Sequence, residues 1–386
     1  MTANQGPSSP ENGHLETTRI VAGQKPKRKF RRVEFIAGAV LVVLIGAGAT
    51  VVSINNTNKT PAAPVPVKAA TLKLGYFPNV THAPAIVGLQ EGLFAKSLDG
   101  TALTTQVFNA GPAAIEALSA GAIDAAYIGP NPAINSYVKS QGESVRIIAG
   151  ATSGGAQLVV KPEITSPAQL KGKVLATPQL GGTQDVALRS WLVDQGFKTT
   201  PGGGGDVIIN PTDNAQTLKL FQDGKLDGAW LPEPWASRLV LEAGAKVLVN
   251  EADLWDKGEF STTILIVNKK FLAEHPQTVT SLLEGHVASV NWLNDNKTQA
   301  AEVINAGLTK TAGKPLAQNV IDRSLTELTF NVDPLAGTFP TLLDHGVKAG
   351  VTKEADISGI FDLGPINAVL KTAGKAAVSA AGLGSE

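Results

Sequence analysis

Residues 109–130 read NAGPAAIEALSAGAIDAAYIGP, and residues 214–234 read NAQTLKLFQDGKLDGAWLPEP. Asn109 and Asn214 open the two stretches. Ile115 stands against Leu218, Leu118 against Phe221, Gly121 against Gly224, Asp124 against Asp227 and Tyr127 against Trp230, these pairs sharing one constant offset. Each stretch predicts a helix, a Gly stop, then a short strand carrying an aromatic residue. Two copies this far apart do not make a solenoid. They predict two related lobes whose sheets face one another. The C-terminal ends of the strands then line the gap, which is where ligands of open α/β sheets bind.

The same alternation extends on both sides. A strand is predicted over 72–76, followed by the turn Phe77-Pro78-Asn79 and a helix from Asn79 or Thr81 through Leu89 to Phe94. Strands over 104–108 and 123–128 flank a helix over 112–120, and Asn131 opens another helix. Further strands cover 146–150 and 157–160. Strands alternating with helices imply parallel sheets with helices on their faces, an α/β fold. Trp191, Phe221 and Trp292 fall on apolar helical stripes and are read as core.

Composition narrows the function. At 386 residues the chain is long enough for two or three domains. Charge balances overall, at 33 basic and 33 acidic residues, yet residues 1–60 carry eight Lys/Arg against three Glu. The rest of the chain is therefore mildly acidic, which argues against nucleic-acid binding. The absence of Cys excludes disulfides, thiolate metal sites, a Cys nucleophile and a lipid-modified N-terminal Cys.

Residues 35–52, FIAGAVLVVLIGAGATVV, form an uncharged run of 18 residues, the lower limit for a spanning helix. Six basic residues between Lys25 and Arg32 precede it, and only Lys59 lies close behind it. That asymmetry predicts a single-pass anchor over 33–54, with a cytoplasmic basic tail over 1–32 and the body on the extracytoplasmic side of the cell membrane. A signal peptide cleaved near Gly46-Ala47-Gly48-Ala49 is the competing reading. Residues 55–70 read as a proline-stiffened linker and 371–386 as a loose Ala/Gly-rich tail.

Five loops follow strands and open helices, the positions where unpaired backbone N–H groups and the positive end of the helix dipole gather. They contain Asn79, Thr81 and His82; Asn131; Thr152 and Ser153; Gly182, Thr183, Gln184 and Asp185; and Glu233 with Trp235. The alternative for Thr81, Asn131 and Thr183 is a helix N-cap, worth about 1 kcal/mol each. Asp185 reads as compensation of the helix dipole. Glu233 lies between Pro232 and Pro234, a carboxylate held at the expected cleft, and Trp235 offers a flat apolar wall.

Four stretches, 74–94, 108–134, 177–192 and 227–239, together resemble the ABC-transporter solute-binding proteins of the nitrate/sulfonate/taurine type. The resemblance covers roughly residues 70–370 and is strongest to members that bind aliphatic sulfonates. It implies a type II periplasmic-binding-protein fold, two lobes joined by two crossing hinge strands at 157–161 and 262–268. Residues 71–157 and 262–370 would then form lobe 1, and 158–261 lobe 2. It also implies a ligand held by Asn79, His82, Asn131, Thr152, Ser153, Thr183, Gln184 and Glu233, and delivery to an ABC permease and its ATPase subunits. A small organic anion is the expected ligand, with a thiamine precursor or flavin-like heterocycle as the alternative. Glu233 and Asp185 would repel an anion unless they face amines or are hydrogen-bonded elsewhere.

Enzyme signatures are missing. No HExxH zinc pattern occurs, and no two of His82, His275, His286 and His345 stand at metal spacing. The G-x-S-x-G elbow fails at Ala151, two residues before Ser153. No G-x-G-x-x-G follows a strand, and Gly202-Gly203-Gly204-Gly205 lacks the Lys-Ser/Thr of a phosphate loop. The expectation is a monomeric binding protein with no catalytic residue, cofactor or metal. A ligand-sensing domain and a hydrolase are the readings of another class.

Overall fold

The structure, a computed structural model, describes residues 67–386. The expected basic tail, anchor or signal segment and most of the linker lie outside these residues. From Ala69 the chain is already docked: its N–H donates to Thr278 Oγ1 (2.8 Å) and its carbonyl accepts from Thr101 Oγ1 (2.8 Å).

The first lobe begins with β1 (Thr71–Tyr76), α1 (Ala83–Gln90), α2 (Leu93–Leu98), β2 (Ala102–Val107), α3 (Gly111–Ser119), β3 (Ala125–Ile128), α4 (Pro130–Lys139) and β4 (Val145–Gly154). The single helix expected up to Phe94 is broken, because Gly92 adopts φ +66 and separates α1 from α2. The second lobe follows: β5 (Ala156–Val160), β6 (Val174–Thr177), α5 (Thr183–Asp194), β7 (Ile208–Pro211), α6 (Asn214–Gln222), β8 (Gly228–Pro232), α7 (Trp235–Ala243) and β9 (Lys246–Asn250). The chain then returns through β10 (Ser261–Asn268), α8 (Lys269–Glu274), α9 (Pro276–Asp295), α10 (Lys297–Ala312), α11 (Gln318–Thr326), β11 (Leu328–Phe330), α12 (Phe339–Lys348), β12 (Phe361–Asp362), α13 (Gly364–Thr372) and β13 (Gly384–Ser385).

Two sheets result, and their cores share one plan. In the first the central order is β2-β1-β3-β10-β4; in the second it is β7-β6-β8-β5-β9. Each has three parallel strands followed by a strand antiparallel to both of its neighbours. The repeated sequence accounts for this at atomic level. Gly121 and Gly224 end their helices at φ +71 and +72. Asp124 Oδ2 then accepts the Lys73 N–H of β1 (2.8 Å), and Asp227 Oδ2 accepts the Val174 N–H of β6 (2.9 Å). Tyr127 and Trp230 are buried at matching places, and each meets a buried polar partner: His286 Nδ1 (2.8 Å) and Glu251 Oε2 (2.8 Å).

The chain passes between sheets twice. Between β4 and β5 it turns at Gly154 and Gly155, with φ +80 and +71. A side chain would be strained at both positive φ values, and at Gly154 its Cβ would also lie 2.5 Å from the Glu327 backbone carbonyl. The other passage is 251–260, between β9 and β10. The segments expected to cross, 157–161 and 262–268, instead lie within single sheets as β5 and β10, because the glycine pair and the irregular 251–260 segment absorb the change of direction.

Lobe 1 is built around a core including Leu72, Leu74, Ile128, Ile147, Leu265 and Phe339. In lobe 2 Leu158, Trp191 and Trp230 pack on one face of the sheet, while Phe221, Leu231 and Leu239 pack on the other. Trp191 and Phe221 are thus core, and Trp292 is half-buried against the core of lobe 1. The C-terminal residues 371–386, expected to be loose, are docked. Ala380 is fully buried, Asn367 exchanges two hydrogen bonds with the Val378 backbone, and β13 pairs with β12. The Ala-rich composition concealed this, since the fastening is made by backbone groups and by Asn367.

Candidate functional site

The repeat brings its two opening residues face to face. Asn109, before α3, accepts the Asn214 N–H of α6 through Oδ1 (3.3 Å) and donates from Nδ2 to the Pro178 carbonyl (3.0 Å). The lobes therefore meet across the gap. A cavity of about 20 Å3 lies between them, at the scale that admits about one water-sized group. Its wall includes the 77–82 loop, the starts of α3, α4 and α5, and Thr262 and Thr263 of β10. No Asp, Glu, Lys or Arg is among the lining residues.

The first N–H groups of a helix have no partner within it. Gly111, Thr183 and Gln184 occupy such positions and line the cavity. Two buried hydroxyls there, Thr183 Oγ1 and Thr263 Oγ1, have no hydrogen-bond partner. Leaving such a group unmatched costs about 1–3 kcal/mol, so an unmatched pair beside uncapped helix starts is suited to a polar guest. The N-cap alternative fails for Thr183 and Asn131. The caps of α5 and α4 are Gly182 and Gly129, and no side chain bonds to either helix end.

His82 is buried beside Phe77, with ring centroids 4.3 Å apart. Its Nδ1 accepts the Phe77 N–H (3.2 Å). Burial lowers its pKa to about 3, so the ring is neutral at physiological pH.

Of the residues singled out from sequence, Asn79, Thr81, His82, Gly182, Thr183 and Gln184 come together on the cavity wall. The others have different tasks. Asn131 Nδ2 donates to the Leu342 carbonyl of α12 (2.9 Å), and Thr152 Oγ1 donates to the Thr81 carbonyl (2.7 Å), holding the 77–82 loop. Ser153 pairs within the sheet, opposite Ser261 and Thr329. Glu233 is fully buried and turned away from the cavity: Oε1 meets Arg323 Nη1 (3.0 Å), while Oε2 accepts from Ser324 Oγ (3.0 Å) and the Ser237 N–H (3.1 Å). Burial raises its pKa, and the Ser237 contact and the Arg323 charge oppose that rise. Trp235 forms no wall of the cavity. Its ring lies under the Arg238 guanidinium, 4.7 Å from the centroid, and its Nε1 donates to Asn79 Oδ1 (2.9 Å). Asp185 pairs with Arg189 (2.8 Å), both being fully buried.

Asn109, Thr262 and Thr263 are cavity residues that sequence reasoning missed. Asn109 carried a signal, since it opens one copy of the repeat. The two threonines carried none, because β10 reads as an ordinary apolar strand. Larger surface hollows exist, such as one of about 390 Å3 lined by Glu116, Lys139 and Leu180, but the cavity between the lobes is where the unmatched Thr183 and Thr263 hydroxyls lie. Among the described residues no cluster of three or more His, Asp or Glu could hold a metal ion, and no helix is long and apolar enough to cross a membrane.

Two facing α/β sheets thus share one strand plan, with an uncharged cavity between them. The structure resembles solved periplasmic-binding-protein folds. One is the alkanesulfonate-binding protein SsuA from Xanthomonas axonopodis pv. citri bound to MOPS (TM-score 0.63, 19% identity, 75% of this chain and 96% of that one). Another is the periplasmic nitrate-binding protein NrtA from Synechocystis PCC 6803 (TM-score 0.63, 16% identity, 74% of this chain and 83% of that one). The chain belongs to the NMT1-like family, which matches residues 66–307. The taurine-binding periplasmic protein of Escherichia coli K12 is 25% identical over 240 residues, covering 61% of this chain and 71% of its relative. Each of these relatives is named as a binding protein.

Proposed function

We propose that this protein is the extracytoplasmic solute-binding component of an ABC importer. It takes a small organic anion, of the aliphatic sulfonate, taurine or nitrate type, between its lobes and delivers it to the permease. The observation that carries this reading is the cavity itself: uncharged, bounded by helix starts, and holding the unmatched hydroxyls of Thr183 and Thr263. Helix N-termini hold anions through backbone N–H groups and the dipole without a lysine. The two carboxylates that would repel an anion are both engaged elsewhere, Glu233 with Arg323 and Asp185 with Arg189. The names of the relatives, taurine-, alkanesulfonate- and nitrate-binding, point the same way.

A heterocyclic ligand has less support, because the aromatic wall expected of Trp235 is covered by Arg238. Neither a hydrolase nor a sensing domain is favoured by any group in the cavity. Ligand contacts to both lobes would favour closure by differential affinity, with the passages at 154–155 and 251–260 as the flexing points. The membrane anchor over 33–54 is part of the proposal and would keep the protein beside its permease. A thermal-shift screen of the purified protein with taurine, alkanesulfonates, nitrate, riboflavin and thiamine precursors tests the ligand class. An anion at 100 times its Kd should add about 2.7 kcal/mol, and a response only to the heterocycles would overturn the reading.

A further inference from the structure

The polarity of two cavity side chains is fixed from outside the cavity. An Asn amide can present either its oxygen or its nitrogen, and a neutral His can carry its proton on either nitrogen. At Asn79 the choice is made by Trp235, whose indole N–H, which can only donate, binds Oδ1 at 2.9 Å. The amide nitrogen is then the end left for a ligand. At His82 the choice is made by the Phe77 backbone N–H, which binds Nδ1 at 3.2 Å. The neutral ring must therefore carry its proton on Nε2. Thr183 and Thr263 add hydroxyls that are free to turn their protons toward a guest. Thr262 is the exception, since its hydroxyl proton goes to the Gly154 carbonyl.

We propose that Trp235 and the Phe77 N–H lock Asn79 and His82 as donors, so that the cavity selects an oxyanion with no ionisable proton, a sulfonate, over a protonated analogue of the same shape, a phosphonate. The inference rests on the anion-binding reading above. A ligand hydroxyl can accept from either locked donor but cannot donate to it, so its proton must go to Thr183 or Thr263, at the loss of a donor that an anion would use, or stay unpaired. Burial keeps His82 neutral down to a pH of about 3, so acid does not unlock it under ordinary conditions. Trp235 acts here as a positioning residue, through Asn79, because it does not itself line the cavity.

The test is isothermal titration of the full-length protein with matched pairs: taurine against 2-aminoethylphosphonate, and ethanesulfonate against ethylphosphonate. It is run at about pH 5, below the second ionisation of a phosphate-type group. The wild type should bind a sulfonate at least about tenfold more tightly than its phosphonate partner, the effect of one mispaired buried donor. Trp235→Phe keeps the ring over which Arg238 lies but removes the indole N–H. It should bring the two affinities together by letting the Asn79 amide turn over. His82→Phe, which keeps a ring beside Phe77 but removes the locked donor, should narrow the same ratio independently. Equal affinities in the wild type would overturn the inference while leaving the anion reading intact. So would a ratio unchanged in both variants, even with weaker binding overall. If no sulfonate binds at all, the anion reading fails and this inference falls with it.

Discussion

Glu233 Oε1 lies 3.0 Å from Arg323 Nη1, joining the end of β8 in one lobe to α11, beside the passage between the sheets. The carboxylate is fully buried, and the same guanidinium reaches Ser237 Oγ (2.7 Å) and Gln157 Oε1 (2.8 Å). One side chain thus holds three groups of lobe 2. Arg323→Ala would leave Glu233 buried without its counter-charge. Losing one partner of a buried pair costs about 3–5 kcal/mol, and somewhat less where, as here, the cation is partly exposed. The expected outcome is a Tm lower by several degrees and weaker ligand binding, although Arg323 lies outside the cavity. A Tm within a degree of wild type would show that the pair contributes nothing.

Thr183 predicts effects of opposite sign with and without ligand. Its Oγ1 is buried and unmatched, so Thr183→Val removes a polar atom that has no protein partner. Without ligand the variant should be as stable as wild type or more so. With ligand it should lose about 1–3 kcal/mol of binding, the worth of a buried hydrogen bond left unmade. Denaturant midpoints and titration calorimetry read the two effects separately. A destabilised free protein would mean that the hydroxyl has a structural partner.

Gly129 offers a way to prevent closure without straining the fold. Its φ of −72 suits any residue, yet a Cβ there would lie 2.2 Å from Thr183 Oγ1 on the other lobe. Gly129→Ala should therefore fold normally but hold the lobes apart. Small-angle scattering should show an expanded form that saturating ligand fails to contract, with affinity reduced. Normal contraction in the variant would place the moving surface elsewhere.

Two buried groups give pH dependences of opposite sign. His286 is held by Tyr127 Oη (2.8 Å) and the Gly150 carbonyl (2.7 Å), and burial lowers its pKa to about 4 from an ordinary 6.5. Between those values the unfolded chain takes up a proton that the folded chain refuses, so stability falls as pH falls. Glu251 takes the Trp230 indole N–H (2.8 Å), and burial raises its pKa to about 7 from 4.5. There the folded chain holds the extra proton, so stability falls as pH rises through that window. In urea midpoints measured from about pH 4 to pH 8, His286→Gln should flatten the acid side, and Glu251→Gln should gain on wild type as pH rises. Curves parallel to wild type would contradict both assignments.

The parts of this architecture that depend on local chemistry were legible in the sequence. Gly121 with Gly224 and Asp124 with Asp227 mark helix ends and strand starts within a few residues of one another, and they announced the paired lobes. Asn79, His82 and the Gly182-Thr183-Gln184 turn were legible because a loop between a strand and a helix exposes backbone donors wherever the fold places it. Contacts between distant segments were not legible. Arg323 stands 90 residues from Glu233, and nothing around either residue names the other, so Glu233 read as a ligand group when it is an internal ion-pair partner. Trp235 read as a wall for the same reason: its half-buried ring is covered by Arg238, one helical turn further on, and its indole N–H is directed at Asn79. The Thr262 and Thr263 hydroxyls reach the cavity only because β10 returns between β3 and β4.

The most direct test of the account is titration calorimetry of the purified protein with taurine, alkanesulfonates and nitrate, repeated with Thr183→Val. The account predicts saturable one-to-one binding of at least one of these anions, weakened in the variant by a factor of about ten or more. Absence of binding by a folded wild-type protein, or binding that the variant leaves unchanged, would contradict it.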